Sequence, residues 1–153
     1  MRTLELKIPP PAVALTVAVT MWTISLAGEP LAVPALVRAV VAGIVALVGG
    51  AFSVSGVVSF RRARTTVNPM KPQAASSLVT SGVYRLTRNP MYVGLLLVLI
   101  AWAILLSSVW TLVGPPAFLL YITRFQIQPE ERVLAGMFGT AYSTYKDKVR
   151  RWL

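Results

Sequence analysis

The chain of 153 residues contains no histidine and no cysteine. Disulfides, thiolate nucleophiles, Cys-ligated metals and an imidazole base are therefore excluded, and no metal site is expected. Chemistry falls to Glu, Asp, Arg, Lys, Tyr, Asn, Ser, Thr and the backbone, or to a cofactor that is already reactive. Such residues gather in two stretches. The first, Ser81 to Gly94, sets Gly82, Tyr84, Arg85, Arg88, Asn89 and Pro90 at the mouth of an apolar run, with Tyr92 and Gly94 inside it. Asn is a favoured N-cap and Pro suits the first helical position, so a helix opening at Asn89-Pro90 turns its positive end toward two arginines, a place to hold an anion. The second stretch places Glu130 and Glu131 behind Pro129, then Phe138, Tyr142, Tyr145 and Arg151. Each has a simpler account: a proline opening a membrane helix with arginines on headgroups, and two glutamates in a first helical turn, where the macrodipole favours them.

The elements that must position these residues are apolar. The chain is 56% hydrophobic and 13% charged, with a mean hydropathy of +0.68. That composition predicts an all-α integral membrane protein, one domain over 1–153, held by helix packing and internal hydrogen bonds. Four transmembrane helices are expected at about 10–27, 35–60, 91–107 and 109–127. Pro9 to Pro11 open the first. Positive residues, an apolar stretch and Ser25-Leu26-Ala27 also imitate a cleavable secretory signal there, but the stretch is long enough to stay as a helix. The second, Ala35 to Phe60, would be about 39 Å long against a hydrocarbon core of roughly 30 Å, so it should tilt or project. Ala42, Ala46 and Gly50 form a small-residue stripe on it that admits a close neighbour, either another helix or a second copy of the chain. Arg61, Arg62 and Arg64 follow, then Thr65 to Thr80, the longest polar connection, with Pro69, Lys71 and Pro72. The third and fourth spans form a hairpin through Ser107-Ser108, with a kink expected at Pro115-Pro116.

With the N-terminus inside, every Lys and Arg except Arg38 falls on the cytoplasmic face. The positive-inside rule thus predicts N-in, C-in, with both chemically rich stretches on the same side. This placement also accounts for the net charge of +10 without nucleic acid. Beyond a helix start at Gln128-Pro129, the residues Val133, Leu134, Met137, Phe138, Ala141, Tyr142, Tyr145, Val149 and Trp152 describe an amphipathic segment. It lies on the bilayer or caps the bundle, and Gly136 and Gly139 allow it to bend. Arg150, Arg151 and Trp152 suit an interfacial anchor.

Two motifs in this order resemble the isoprenylcysteine carboxyl methyltransferase and phospholipid methyltransferase superfamily of small membrane enzymes. Gly82-Val83-Tyr84 and Arg88-Asn89-Pro90-Met91-Tyr92-Val93-Gly94 are similar to G-x-Y and R-[HN]-P-x-Y-x-G. Glu130-Glu131, Leu134, Phe138-Gly139, Tyr142, Tyr145, Val149 and Arg151 are similar to E-E-x-x-L, F-G-x-x-Y-x-x-Y and V-x-R. The resemblance covers Ser81 to Leu153 and implies that S-adenosyl-L-methionine binds between motifs 81–94 and 129–151 at the cytoplasmic face. Its methyl would pass to a lipophilic acceptor reached from the bilayer, leaving S-adenosyl-L-homocysteine. Carried over residue by residue, Gly82, Tyr84, Arg85, Arg88, Asn89, Pro90, Tyr92 and Gly94 form one wall of the cofactor site. Glu130, Glu131, Phe138, Tyr142 and Tyr145 form the other. Asn89, Glu130, Glu131 and Arg151 are the candidate catalytic residues, with Arg151 either closing the site or anchoring headgroups.

Many relatives carry His where Asn89 stands. A histidine base is excluded here, although Asn can still donate and accept hydrogen bonds. A carboxylate or thiolate acceptor needs alignment and desolvation more than a base; an amine must lose a proton, for which Glu130 or Glu131 is the candidate. Two other readings compete. A sterol-reductase-like enzyme would need a nicotinamide module that this short chain does not display. A small transporter or structural membrane subunit would usually place an ionisable residue mid-membrane, and only Arg38, near a span end, comes close.

Overall fold

The computed structural model describes residues 4–65, 68 and 70–153; Pro69 and Arg2, the latter one of the cations assigned above to the cytoplasmic face, lie outside the described residues. Every regular element among them is helical. The helices are α1 Pro10–Ser25, α2 Ala35–Arg62, α3 Pro90–Leu106, α4 Gly114–Ile122 and α5 Gln128–Lys148. Single 3₁₀ turns occupy Pro72–Ala74, Gly82–Arg85 and Val109–Val113, and a π turn occupies Thr123–Ile127. Among the described residues, α2 alone is long and apolar enough to cross a membrane by itself; α1 and α3 are apolar but shorter.

Prolines set several of the starts. Pro10 opens α1 and Pro90 opens α3, because the first helical N–H has no partner for proline to remove. Pro115 and Pro116 likewise lie in the first turn of α4 behind the 3₁₀ turn, so the expected mid-helix kink is replaced by a helix start. Pro129 behaves differently from the expectation. The backbone is already helical when it arrives at Gln128, with Ile127 in the αR region, so Gln128-Pro129 is a continuation and not a fresh start. Proline cannot bond to the carbonyl four residues earlier and crowds it. That carbonyl belongs to Phe125, within the π turn, and it accepts instead from the Leu6 N–H at 3.1 Å. The wider π turn and the N-terminal segment together absorb the proline. The anticipated bend in α5 falls at Gly139, whose φ of 49° and ψ of −122° are open to glycine alone.

The closest helix pair is α2 against α3. The buried small residues of α2 are Ala42, Gly49 and Gly56, a seven-residue repeat rather than the expected Ala42, Ala46 and Gly50. Gly94 of α3 sits against Gly49 and Ser53: a Cβ there would lie 2.5 Å from the Gly49 carbonyl oxygen and overlap Ser53 Oγ. Gly56 similarly leaves room for Pro90 and Met91. Gly50 faces open space. The stripe is thus used inside the chain, where it lets the α2 and α3 backbones approach closely. On the other side of α3, Met21, Leu99, Phe118, Ile122 and Ile127 form the main core of α1, α3, α4 and the π turn. Trp102 Nε1 donates to the Ala18 carbonyl at 3.0 Å. Large apolar side chains remain outside, among them Leu15, Leu36, Leu47, Val54 and Leu120.

Candidate functional site

The two chemically rich stretches meet through the segment that follows α5. At Val149 the backbone becomes extended, and the carbonyls beyond it dock onto residues 87–89. The Arg88 N–H donates to the Arg150 carbonyl at 3.0 Å. Thr87 Oγ1 and Asn89 Nδ2 both donate to the Arg151 carbonyl at 3.0 Å. Thr87 is fully buried, and its hydroxyl also accepts from the Asn89 N–H at 3.2 Å. Asn89 occupies the N-cap position of α3 as expected, but its side chain makes no cap hydrogen bond; the amide is spent on tethering the C-terminal segment.

This docking carries Arg151 to Glu131. The guanidinium grips the carboxylate through two bonds, Nε to Oε1 at 3.0 Å and Nη2 to Oε2 at 2.6 Å. Arg88 Nη1 reaches the same Oε1 at 3.1 Å. The Arg88 and Glu131 side chains are 8% and 14% exposed, so removing Glu131 would strand the buried Arg88 charge, a loss typically of about 3–5 kcal/mol. Holding Glu131 this way raises the affinity of the Arg151 guanidinium for its proton. It also takes Arg151 and its neighbour away from the anchoring role: Trp152 packs against the main core, with Nε1 donating to Thr123 Oγ1 at 3.3 Å.

Glu130, one residue earlier, has no cation within ion-pair distance among the described residues. Its Oε1 accepts from the Tyr92 hydroxyl and from Gln126 Nε2, each at 2.7 Å. Desolvation pushes its carboxyl up to about 7; the two hydrogen bonds pull the other way, and the Glu131 charge adds to the rise. Adjacent glutamates thus have opposite characters, one neutralised by two arginines and one poised between carboxyl and carboxylate.

Both face a cavity walled by aromatic rings. Tyr84, Arg88, Asn89, Tyr92, Glu130, Glu131, Tyr142 and Tyr145 all line it, which brings together eight of the residues singled out in the sequence. Tyr145 donates to the Tyr84 carbonyl at 2.7 Å, and burial raises both hydroxyls well above the usual tyrosine range. Burial, aided by the Glu131 charge, pushes Tyr142 up to about 12, although its oxygen accepts from Arg88 Nη1 at 3.4 Å. Arg88 Nε is buried without a hydrogen-bond partner. Gly82, Arg85, Pro90, Gly94, Phe138 and Arg151 do not line the cavity. Gly82 turns the chain at a positive φ of 63°, Arg85 is exposed, Phe138 packs behind the tyrosines, and Pro90 and Gly94 lie against α2.

Sequence reasoning missed the cover of the cavity. Pro72, Ser77, Leu78 and Val79 of the polar connection line it, as does Phe60 of α2. Ser76 and Ser77 tie this connection to the end of α2 through Thr65 Oγ1 and the carbonyls of Arg64 and Ala63. The apolar pair Leu78-Val79 near the end of this connection was the available signal. Gln126 was also missed, although its spacing of four residues from Glu130 suits a side-chain hydrogen bond on one helix face.

A family profile described as phospholipid methyltransferase matches residues 37–141. The chain belongs to the phospholipid methyltransferase family. Among curated relatives, this family member is 48% identical over 63 residues to an uncharacterized protein of Haemophilus influenzae, an alignment covering 41% of the chain and all of that protein. It is 32% identical over 113 residues to the probable protein-S-isoprenylcysteine O-methyltransferase of Oryza sativa, in both the indica and japonica subspecies. Those alignments cover 72% of this chain and 58% of the rice proteins. No solved structure matches the chain.

Proposed function

We propose that the cavity between the two motifs binds S-adenosyl-L-methionine and that the protein methylates a lipophilic acceptor reached from the bilayer. The observation that carries this reading is the pairing of unlike glutamates beneath aromatic walls. Arg88 and Arg151 outnumber Glu131 by one positive charge, and Arg88 lines the cavity. That end, beside the start of α3, suits a carboxylate. Glu130 has no counter-ion among the described residues and suits the cationic groups of the cofactor, whose charge would hold it ionised. Tyr84, Tyr142 and Tyr145 offer faces for a purine. The donor set therefore fits an amino acid carrying a sulfonium and an adenosine. When bound, that cofactor supplies an electrophilic methyl on sulfur.

The chain's own residues orient and desolvate. Arg151 positions Glu131, Thr87 and Asn89 position Arg151, and Tyr92 and Gln126 fix Glu130. For an amine or thiol acceptor, Glu130 is the group placed to take a proton, because Glu131 is committed to two arginines. An already ionised acceptor would leave Glu130 with an electrostatic role only. Gly82, Pro90, Gly94 and Phe138 support the walls.

The membrane arrangement follows the same reading: four spans, N-in and C-in, with α1, α3 and the α4 segment completing their passage through the flanking turns. The exposed apolar belt and the gathering of Lys and Arg at the cavity end support it. The acceptor is then a lipid or lipidated molecule that enters between apolar helices.

Calorimetry with purified protein in detergent tests the proposal. Saturable binding of S-adenosyl-L-methionine is expected, weakened at least about tenfold by Arg88→Ala or Glu130→Ala, each removing a charge-assisted contact. Absence of binding by folded, monodisperse protein would remove the proposal. Mass spectrometry of lipid extracts incubated with isotopically labelled cofactor would identify the acceptor.

A further inference from the structure

The turn ahead of α1 meets the helix that carries the acid pair where that helix loses a backbone bond. Pro129 has no N–H to offer the Phe125 carbonyl, and the Leu6 N–H donates to it at 3.1 Å. To do so Leu6 adopts a φ of 58°, in the left-handed region that leucine seldom occupies. Such a conformation is imposed by the surroundings and not by the residue's own preference.

Glu5 braces the same break with its side chain. Its Oε1 accepts from Arg124 Nη1 at 3.1 Å, and its Oε2 accepts from Arg132 Nη2. Arg124 stands just before Phe125 and Arg132 three residues beyond Pro129, so one carboxylate spans the whole discontinuity. The hydrogen bond from Arg124, aided by the charge of Arg132, holds the Glu5 carboxyl below its ordinary value. Gln126 and Glu130 lie inside the braced interval, each two residues from one arginine and so about 200° around the helix from it. The brace therefore grips the outer side while Gln126 Nε2 donates to Glu130 Oε1 at 2.7 Å on the cavity side. None of Glu5, Arg124 and Arg132 lines the cavity. The prolines that follow lead straight into α1, whose Val13, Ala14 and Met21 belong to the main core, so the brace is fastened to the bundle.

The ion pairs add little to folding, because the Arg124 and Arg132 side chains are 43% and 58% exposed. What they restrict is where the π turn and the start of α5 sit. A displacement of the order of 1 Å is enough to spoil a precisely placed contact.

We propose that Glu5 is a positioning residue for the candidate site: through Arg124 and Arg132 it fixes the π turn and the start of α5, and with them the placement of Glu130 toward the cationic sulfur of S-adenosyl-L-methionine. The inference rests on the cofactor reading above and adds to it a residue that touches neither cofactor nor cavity.

Calorimetry of the full-length protein in detergent, titrated separately with S-adenosyl-L-methionine and S-adenosyl-L-homocysteine, tests it. The sulfur is cationic in the first ligand and neutral in the second, so the ratio of the two affinities reports how a carboxylate is placed toward that atom. Glu5→Gln should weaken S-adenosyl-L-methionine about fivefold and S-adenosyl-L-homocysteine by about twofold at most. Its unfolding temperature should stay within about 2 °C of the unaltered protein. Arg132→Gln should compress the ratio in the same direction, and joining it to Glu5→Gln should add little, since both act through one brace. Lys7→Gln, at an exposed position beside the brace, should leave both affinities unchanged. An unchanged ratio in Glu5→Gln, or equal weakening of the two ligands, would overturn the proposal and leave the cofactor site standing. So would a fall in unfolding temperature beyond about 4 °C in both Glu5→Gln and Arg132→Gln, which would assign the brace to folding. Failure of the folded, unaltered protein to bind either ligand would remove the cofactor reading, and this inference with it.

Discussion

At the scale of single residues, Glu130 and Glu131 are neighbours on one helix that share almost nothing in their surroundings. For Glu130 the folded carboxyl is raised to about 7 from an ordinary 4.5. The sign is therefore unfavourable to folding at neutral pH: below the ordinary value both states are protonated, and as pH rises through the interval the unfolded chain ionises first. Glu130→Gln should raise the thermal unfolding temperature of the cofactor-free protein by about 2–4 °C at pH 8 for each kcal/mol relieved. The difference should vanish by pH 4, a comparison that differential scanning fluorimetry in detergent can make. If the acceptor is an amine or thiol, activity should increase with pH through the Glu130 transition, and Glu130→Gln should flatten that acid limb. At Glu131 the test is positional: Arg151→Gln releases one side of its clamp and should weaken cofactor binding about tenfold, whereas Arg85→Gln, at an exposed site off the cavity wall, should leave it unchanged. Calorimetry distinguishes the two.

At the scale of elements, the helices were largely legible in the sequence and their joints were not. Runs of apolar residues bounded by prolines fixed α1, α2 and α3 to within a few residues, because proline at a first turn and charge at an end are local signals. The passage from α4 to α5 was misread because proline at a helix start and proline inside a helix look alike until the partner of the i−4 carbonyl is known. That partner, the Leu6 N–H, is 119 residues away from Phe125. The small-residue stripe was misassigned for a related reason: four-residue and seven-residue repeats coexist on α2, and only the position of Gly94 on α3 selects between them. Gly94→Ala should therefore separate α2 from α3 and lower the unfolding temperature by about 4 °C or more, the overpacking of a helix contact. Gly50→Ala, where a Cβ meets nothing, should be neutral or stabilising, since alanine is the better helix former. Thermal scans of the two variants side by side would check both.

At the scale of the whole molecule, the candidate site is assembled from the two parts of the sequence that pattern reasoning had marked, and its cover from a part that it had passed over. The pairing of the two motifs could be anticipated from charge topology, which sends both to one face. The choice of Arg151 as a clamp on Glu131 could not, because headgroup anchoring calls for the same residue type at the same place. Orientation itself is open to a direct test, as the chain has no native cysteine. Glu29→Cys should react with a membrane-impermeant maleimide added to intact cells, and Lys146→Cys should react only after the membrane is opened. The reverse pattern would place the site on the outer face.

The π turn at Thr123–Ile127 has a further consequence, for tolerance to length change. A π turn spends one residue more per hydrogen-bonded turn than the α-helix, so a one-residue deletion within it is taken up by reverting to α geometry. An insertion after it has no such outlet and would rotate both glutamates by about 100° away from the cavity. Helix content and hydrophobicity would scarcely change. This segment outside both motifs thus sets the phase of the acid pair as well as holding it, through Gln126 on Glu130 and Ile127 in the core.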